Sequence, residues 1–237
     1  MMGILFQLFA SAALLWFVEK QPLTVLGVFP LRVRARQFIF GFFITAFLCS
    51  LSQFLYSSLT ASLWALDPAY THLRLLMAIF KDVKSVLFEE LIFRGALLHL
   101  AIKKLGTHKA ILLSAITFGV YHWFSFGAFG NPVLMTYVFL STGLTGFVWA
   151  LAFAKTKSMA LPIGFHMGWN IFYNSVFSRG PWGSVMLVLN PSEPLVPLSG
   201  IPALINFILP NLIVPLLCLW YVLRSNKKKN DIQKPGG

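Results

Sequence analysis

Residues 38–65 read FIFGFFITAFLCSLSQFLYSSLTASLWA, a run without a single Asp, Glu, Lys, Arg or His. A helix needs about 20 predominantly apolar residues to cross the hydrocarbon layer of a bilayer, so this run predicts a membrane span. Working outward from it, six further runs read the same way. The predicted spans cover 3–18, 38–65, 75–102, 110–126, 133–154, 158–178 and 201–223. Composition agrees, with 57% of residues hydrophobic and only 11% charged, where a soluble domain carries roughly a quarter charged residues. The expected fold class is therefore all-α: a polytopic transmembrane helix bundle of about seven spans, forming one integral membrane domain over 1–237. Residues 4–18 are read as the first span and not as a cleaved signal, because Met1-Met2-Gly3 supplies no basic leader. Cys49 and Cys218 lie apart within apolar runs and read as small core residues.

The net charge of +12 invites a nucleic-acid partner, but no basic stripe runs along a soluble domain, and nucleic acid is excluded as a partner. The charges orient the chain instead. Lys20, Arg32, Arg34 and Arg36 follow the first span, Lys103, Lys104 and Lys109 follow the third, and Lys155 and Lys157 follow the fifth. Arg224, Lys227, Lys228, Lys229 and Lys234 follow the seventh. All of these fall on one face if seven spans alternate, whereas the opposite loops hold only Arg179, and Arg74, Lys81, Lys84 and Arg94 are assigned to the third helix, Arg74 at its start. The positive-inside rule then predicts an external N-terminus and a cytoplasmic C-terminus.

Three segments place polar chemistry where lipid is expected: Glu89-Glu90-Leu91-Ile92-Phe93-Arg94, Phe118-Gly119-Val120-Tyr121-His122 and His166-Met167-Gly168-Trp169-Asn170. An ionisable side chain deep in a span costs about 2.5–3.5 kcal/mol on insertion scales, so such residues face a polar interior and serve a function. On continuous helices, Glu89, His122 and Asn170 each lie about 20 Å from the nearest cytoplasmic Lys, and His166 about 14 Å. The groups share a layer. Glu90 and Arg94 are four residues apart and can pair, while Glu89 is turned about 100° away from Glu90, free to do chemistry. His166 and Asn170 share one face of their helix, with Gly164 and Gly168 on the opposite, packing face. Burial makes a carboxylate a better base at neutral pH. Glu89 with His122 is thus expected to deprotonate a water, and His166 with Asn170 to donate to the oxyanion formed when that water attacks a carbonyl. No Ser or Cys stands at nucleophile spacing to these histidines.

These segments resemble the CAAX protease and bacteriocin-processing family, related to the type II CAAX prenyl endopeptidase, whose motifs EExxxR, FxxxH and HxxxN/D stand on successive membrane helices. The resemblance covers about 81–175. It implies an intramembrane glutamic endopeptidase with Glu89, His122, His166 and Asn170 catalytic and with Glu90 and Arg94 supporting. No cofactor is expected. The metal alternative is a zinc ion on Glu89, His122 and His166, disfavoured by the lack of an HExxH helix and by the cationic Arg94. The implied partners are the lipid bilayer and a peptide or membrane-protein substrate. The short chain resembles bacterial members, which implies a plasma-membrane location. Two rival readings are a transporter or proton relay, which would favour an inverted repeat that the sequence lacks, and a catalytically idle immunity or binding protein of the same fold.

Overall fold

The computed structural model describes residues 2–190 and 195–232, with side chains as far as Arg224. Lys234 of the basic tail and Pro191, in the loop before the predicted seventh span, lie outside the described residues. The elements are α1 (Met2–Glu19), α2 (Leu31–Leu59), β1 (Trp64–Leu66), α3 (His72–Phe93), α4 (Ala96–Leu105), α5 (Thr107–Ser125) and α6 (Pro132–Thr156). They continue with α7 (Ala160–Asn170), β2 (Leu187–Leu189), α8 (Gly200–Ile208) and α9 (Val214–Ile232). Among the described residues, four helical runs are long and apolar enough to cross a membrane: α1, α2, α6 and the run Gly200–Arg224. Their outward faces are apolar, with Phe17 77% exposed, Phe43 63% and Ile201 72%. Surfaces of that kind belong in lipid. This is a membrane protein.

Local chemistry sets the helix ends. The α3 helix starts where the Thr71 side chain accepts the Arg74 amide at 3.2 Å, and α6 where Asn131 accepts that of Leu134 at 3.0 Å ahead of Pro132. Three predicted spans differ in detail. The run expected over 38–65 begins at Leu31 and stops at Leu59, so Arg32, Arg34 and Arg36 occupy the first turns of α2 and not a loop. Its last residues leave the helix for β1, which pairs antiparallel with β2, Trp64 opposite Leu189. The run expected over 75–102 is broken into α3 and α4 at Arg94-Gly95. There the backbone turns, and a Cβ on Gly95 would collide with the Leu91 carbonyl. The distance reckoned along one helix from Lys103 to Glu89 therefore does not apply. The last predicted span is helical throughout but widens into a π turn over Leu209–Ile213, where Pro210 interrupts the hydrogen-bond ladder.

The α7 helix packs most extensively on α2, and α5 on α6. The first contact rests on missing side chains. A Cβ at Gly164 would strike the Phe38 carbonyl, and one at Gly168 the Phe42 carbonyl. These glycines form the expected packing face, and they turn His166 inward. One end of the bundle is basic and cross-tied. The Lys103 ammonium donates to Glu19 at 2.8 Å, and the Arg34 guanidinium caps the last turn of α6 by donating to the Thr156 carbonyl at 2.9 Å. The Ser158 hydroxyl donates to the Gly27 carbonyl at 2.7 Å. The β1/β2 pair belongs to the other end.

Candidate active site

The inward face of α3 repeats at helical spacing: Ala78, Asp82, Val86, then Glu89 and Glu90. Glu90 and Arg94 are fully buried, and their side chains meet at 3.1 Å. The guanidinium has further partners. It donates to the Gly146 carbonyl of α6 at 3.3 Å and lies 4.1 Å over the Phe118 ring of α5 and 5.2 Å from that of Trp149. Aromatic faces carry partial negative charge, so they stabilise a cation that water does not reach. Gly146 gives Phe118 its room, since a Cβ there would press on that ring.

Glu90 also does something the sequence does not announce. Its Oε1 accepts a hydrogen bond from His166 Nδ1 at 2.9 Å, with the imidazole buried and stacked on Trp149 at 4.2 Å between ring centres. Glu90 thus joins Arg94 to His166. A carboxylate paired with a guanidinium only accepts, so Nδ1 of His166 carries the proton and Nε2 points the other way. The second histidine is set alike. His122 Nδ1 donates to the Phe118 carbonyl, one turn earlier, at 2.8 Å.

Both Nε2 atoms face the same carboxylate oxygen. Glu89 Oε2 lies 3.8 Å from His122 Nε2 and 3.9 Å from His166 Nε2, beyond direct hydrogen bonding. It is buried without a hydrogen-bond partner among the described residues, while Oε1 accepts from Ser85 at 3.3 Å. With neutral rings, three acceptors converge on one point. Such a constellation receives protons: it can bind a water through the water's hydrogens and take one away. Once His166 holds a second proton, its Nε2–H becomes a donor, and Glu90 balances the imidazolium charge.

Of the sequence-predicted residues, the structure brings together Glu89, His122 and His166, and separately links Glu90 to Arg94 and His166. Asn170 stands one turn beyond His166, half-buried, and its amide has no hydrogen-bond partner among the described residues. No group of three His, Cys, Asp or Glu side chains among the described residues is spaced to hold a metal ion. Sequence reasoning passed over two contributors. Trp149 carries no signal, because an indole in an apolar helix reads as lipid contact or core. Asp82 does carry one: it is an acid inside a predicted span, seven residues before Glu89.

A family model described as Type II CAAX prenyl endopeptidase Rce1-like matches residues 71–172. No curated protein and no solved structure matches the chain. The matched segment opens at the Thr71 cap of α3, closes just past Asn170, and holds Glu89, Glu90, Arg94, His122, His166 and Asn170 between. It starts before the resemblance read at 81–175 and ends within three residues of it. Over these helices, α3 to α7, the chain is similar to the Type II CAAX prenyl endopeptidase Rce1-like family.

Proposed function

We propose that the protein is an intramembrane endopeptidase that hydrolyses a peptide bond of a peptide or membrane-associated protein, using a water activated by Glu89 and His122. The observation that carries this reading is the partnerless Glu89 Oε2 between two imidazole Nε2 atoms. Glu89 accepts a proton from the water as its oxygen adds to the carbonyl carbon. His122, its Nδ1 tied to the Phe118 carbonyl, offers the second acceptor and orients the water. The oxyanion accepts from the Asn170 amide and from His166, which takes a proton on Nε2 from solvent before the step, with Glu90 balancing its charge, and keeps it through the step. As the C–N bond breaks, Glu89 returns its proton to the leaving amine. Glu90 and Arg94 hold His166 in its tautomer, in the way a buried carboxylate orients a catalytic histidine.

The proposed topology has seven spans, with the C-terminus in the cytoplasm and the N-terminus outside, in a plasma membrane of bacterial type. The basic, cross-tied end formed by Lys103, Arg34 and Lys157 supports it. The substrate is found by comparing membrane peptidomes of cells carrying wild-type protein and Glu89→Ala. Fragments present only with the wild type support the reading, and identical peptidomes contradict it. Activity of the purified protein is expected to survive strong chelators. Loss with chelator and return with Zn²⁺ would favour the zinc set on Glu89, His122 and His166 instead.

A further inference from the structure

Asp82 is fully buried in α3, on the face that carries Glu89 and Glu90 two turns later. An unpaired acid within a span is costly, about 2.5–3.5 kcal/mol on insertion scales, so its retention calls for a reason. No cation pairs with it among the described residues. Its oxygens instead accept three short hydrogen bonds from neutral donors. Asn174 Nδ2 and Trp182 Nε1 each reach Oδ1 at 2.7 Å, and the Ser175 hydroxyl reaches Oδ2 at 2.6 Å. All three donors lie shortly after Asn170 in the chain.

Two of them sit in a π turn, Ile171–Val176, that begins at the residue after Asn170. A π turn holds one more residue per hydrogen-bonded ring than an α turn, and such turns are uncommon and concentrate at functional sites. The one here is clasped through Asn174 and Ser175, while Trp182 brings the following loop onto the same carboxylate. Asn170 has no side-chain partner of its own among the described residues, so the backbone alone aims its amide. That backbone is fixed on one side by the Gly168 contact with α2 and on the other by the π turn.

We propose that Asp82 is a positioning residue: by clasping the π turn it aims the Asn170 amide into the site. The proposal rests on the reading of Asn170 as a donor to the oxyanion. It assigns Asp82 a role through hydrogen-bond geometry and not through charge. An Asn in its place keeps the shape of the clasp, with its carbonyl accepting from Asn174 and Trp182 and its amide donating to the Ser175 hydroxyl. An Ala does not.

The test uses full-length protein with Cys49→Ala and Cys218→Ala, and reads how fast a thiol introduced by Asn170→Cys reacts with a small methanethiosulfonate reagent. Adding Asp82→Ala is expected to change that rate by about 10-fold, and Asp82→Asn by less than about 2-fold. Ser175→Ala and Trp182→Phe, which each remove one donor, shift it in the same direction by less. They carry the test if Asp82→Ala does not fold. A rate unmoved by these variants, or moved equally by Asp82→Asn and Asp82→Ala, overturns the proposal. With native Asn170 and a quenched prenylated CaaX peptide as probe, Asp82→Ala lowers kcat about 10-fold with KM little changed, and adds nothing in an Asn170→Ala background. Additive losses also overturn it. If the wild type cleaves neither this peptide nor a library of unprenylated ones, the peptidase reading fails, while the thiol rates still decide where Asp82 acts.

Discussion

Glu89 and Glu90 are adjacent in sequence and opposite in circumstance. Glu90 is satisfied by Arg94 and His166, whereas Glu89 presents a bare oxygen to two histidines. Removing one member of a buried ion pair leaves the other uncompensated, at a cost of about 3–5 kcal/mol. Glu90→Gln is therefore expected to lower the melting temperature in detergent and to loosen His166 as well. An unchanged melting temperature would mean that the pair does not hold the fold. His166→Ala and Asn170→Ala should each slow turnover by about 10²–10³-fold with substrate binding largely retained, as for oxyanion donors. Weaker binding at unchanged kcat would make them substrate clamps. At this scale the sequence was legible wherever a polar group stood in an apolar run, since lipid makes each one conspicuous. The Glu90–His166 bond was not, because helix spacing pairs Glu90 with Arg94 but is silent on which neighbouring helix it faces. Asp82 was legible and overlooked among the flanking lysines.

Helices were readable as apolar runs, while their interruptions followed from tertiary contacts. The break at Arg94-Gly95 exists where a buried guanidinium needs the Gly146 carbonyl of another helix, a demand that local pattern does not contain. The π turn after Asn170 is held by Asp82, 92 residues away from Asn174 in sequence. The α2–α7 contact was foreshadowed by the Gly164/Gly168 spacing, and it yields a prediction. Gly168→Ala pushes a methyl group into the Phe42 carbonyl, and overpacking of that kind costs about 1–3 kcal/mol. Gly143→Ala is the control, its Cβ resting 3.7 Å from the Ala115 carbonyl in ordinary contact. Melting curves of both variants check this. Equal stability would show that the two helices can part without cost.

The whole molecule sets apolar helices with lipid-facing surfaces around α3, α5 and α7, which carry the ionisable groups and which length and hydropathy alone do not mark as spans. Orientation is the prediction at this scale. A reporter fused after Arg224 is expected to be cytoplasmic, and one inserted at Gly130, exposed between α5 and α6, external. Reversed signals would invert the topology. The central claim, that Glu89 is the base of a membrane peptidase, is tested most directly on Glu89→Gln. In the proposed mechanism its buried charge serves chemistry and burdens the fold, so removing it is expected to leave stability unchanged or raised. The deciding measurement is the specific activity of purified Glu89→Gln toward a peptide that the wild type cleaves, read beside its melting temperature. The account predicts a folded protein, melting at or above the wild-type temperature, with no measurable turnover. A folded Glu89→Gln that still cleaves the peptide would contradict it.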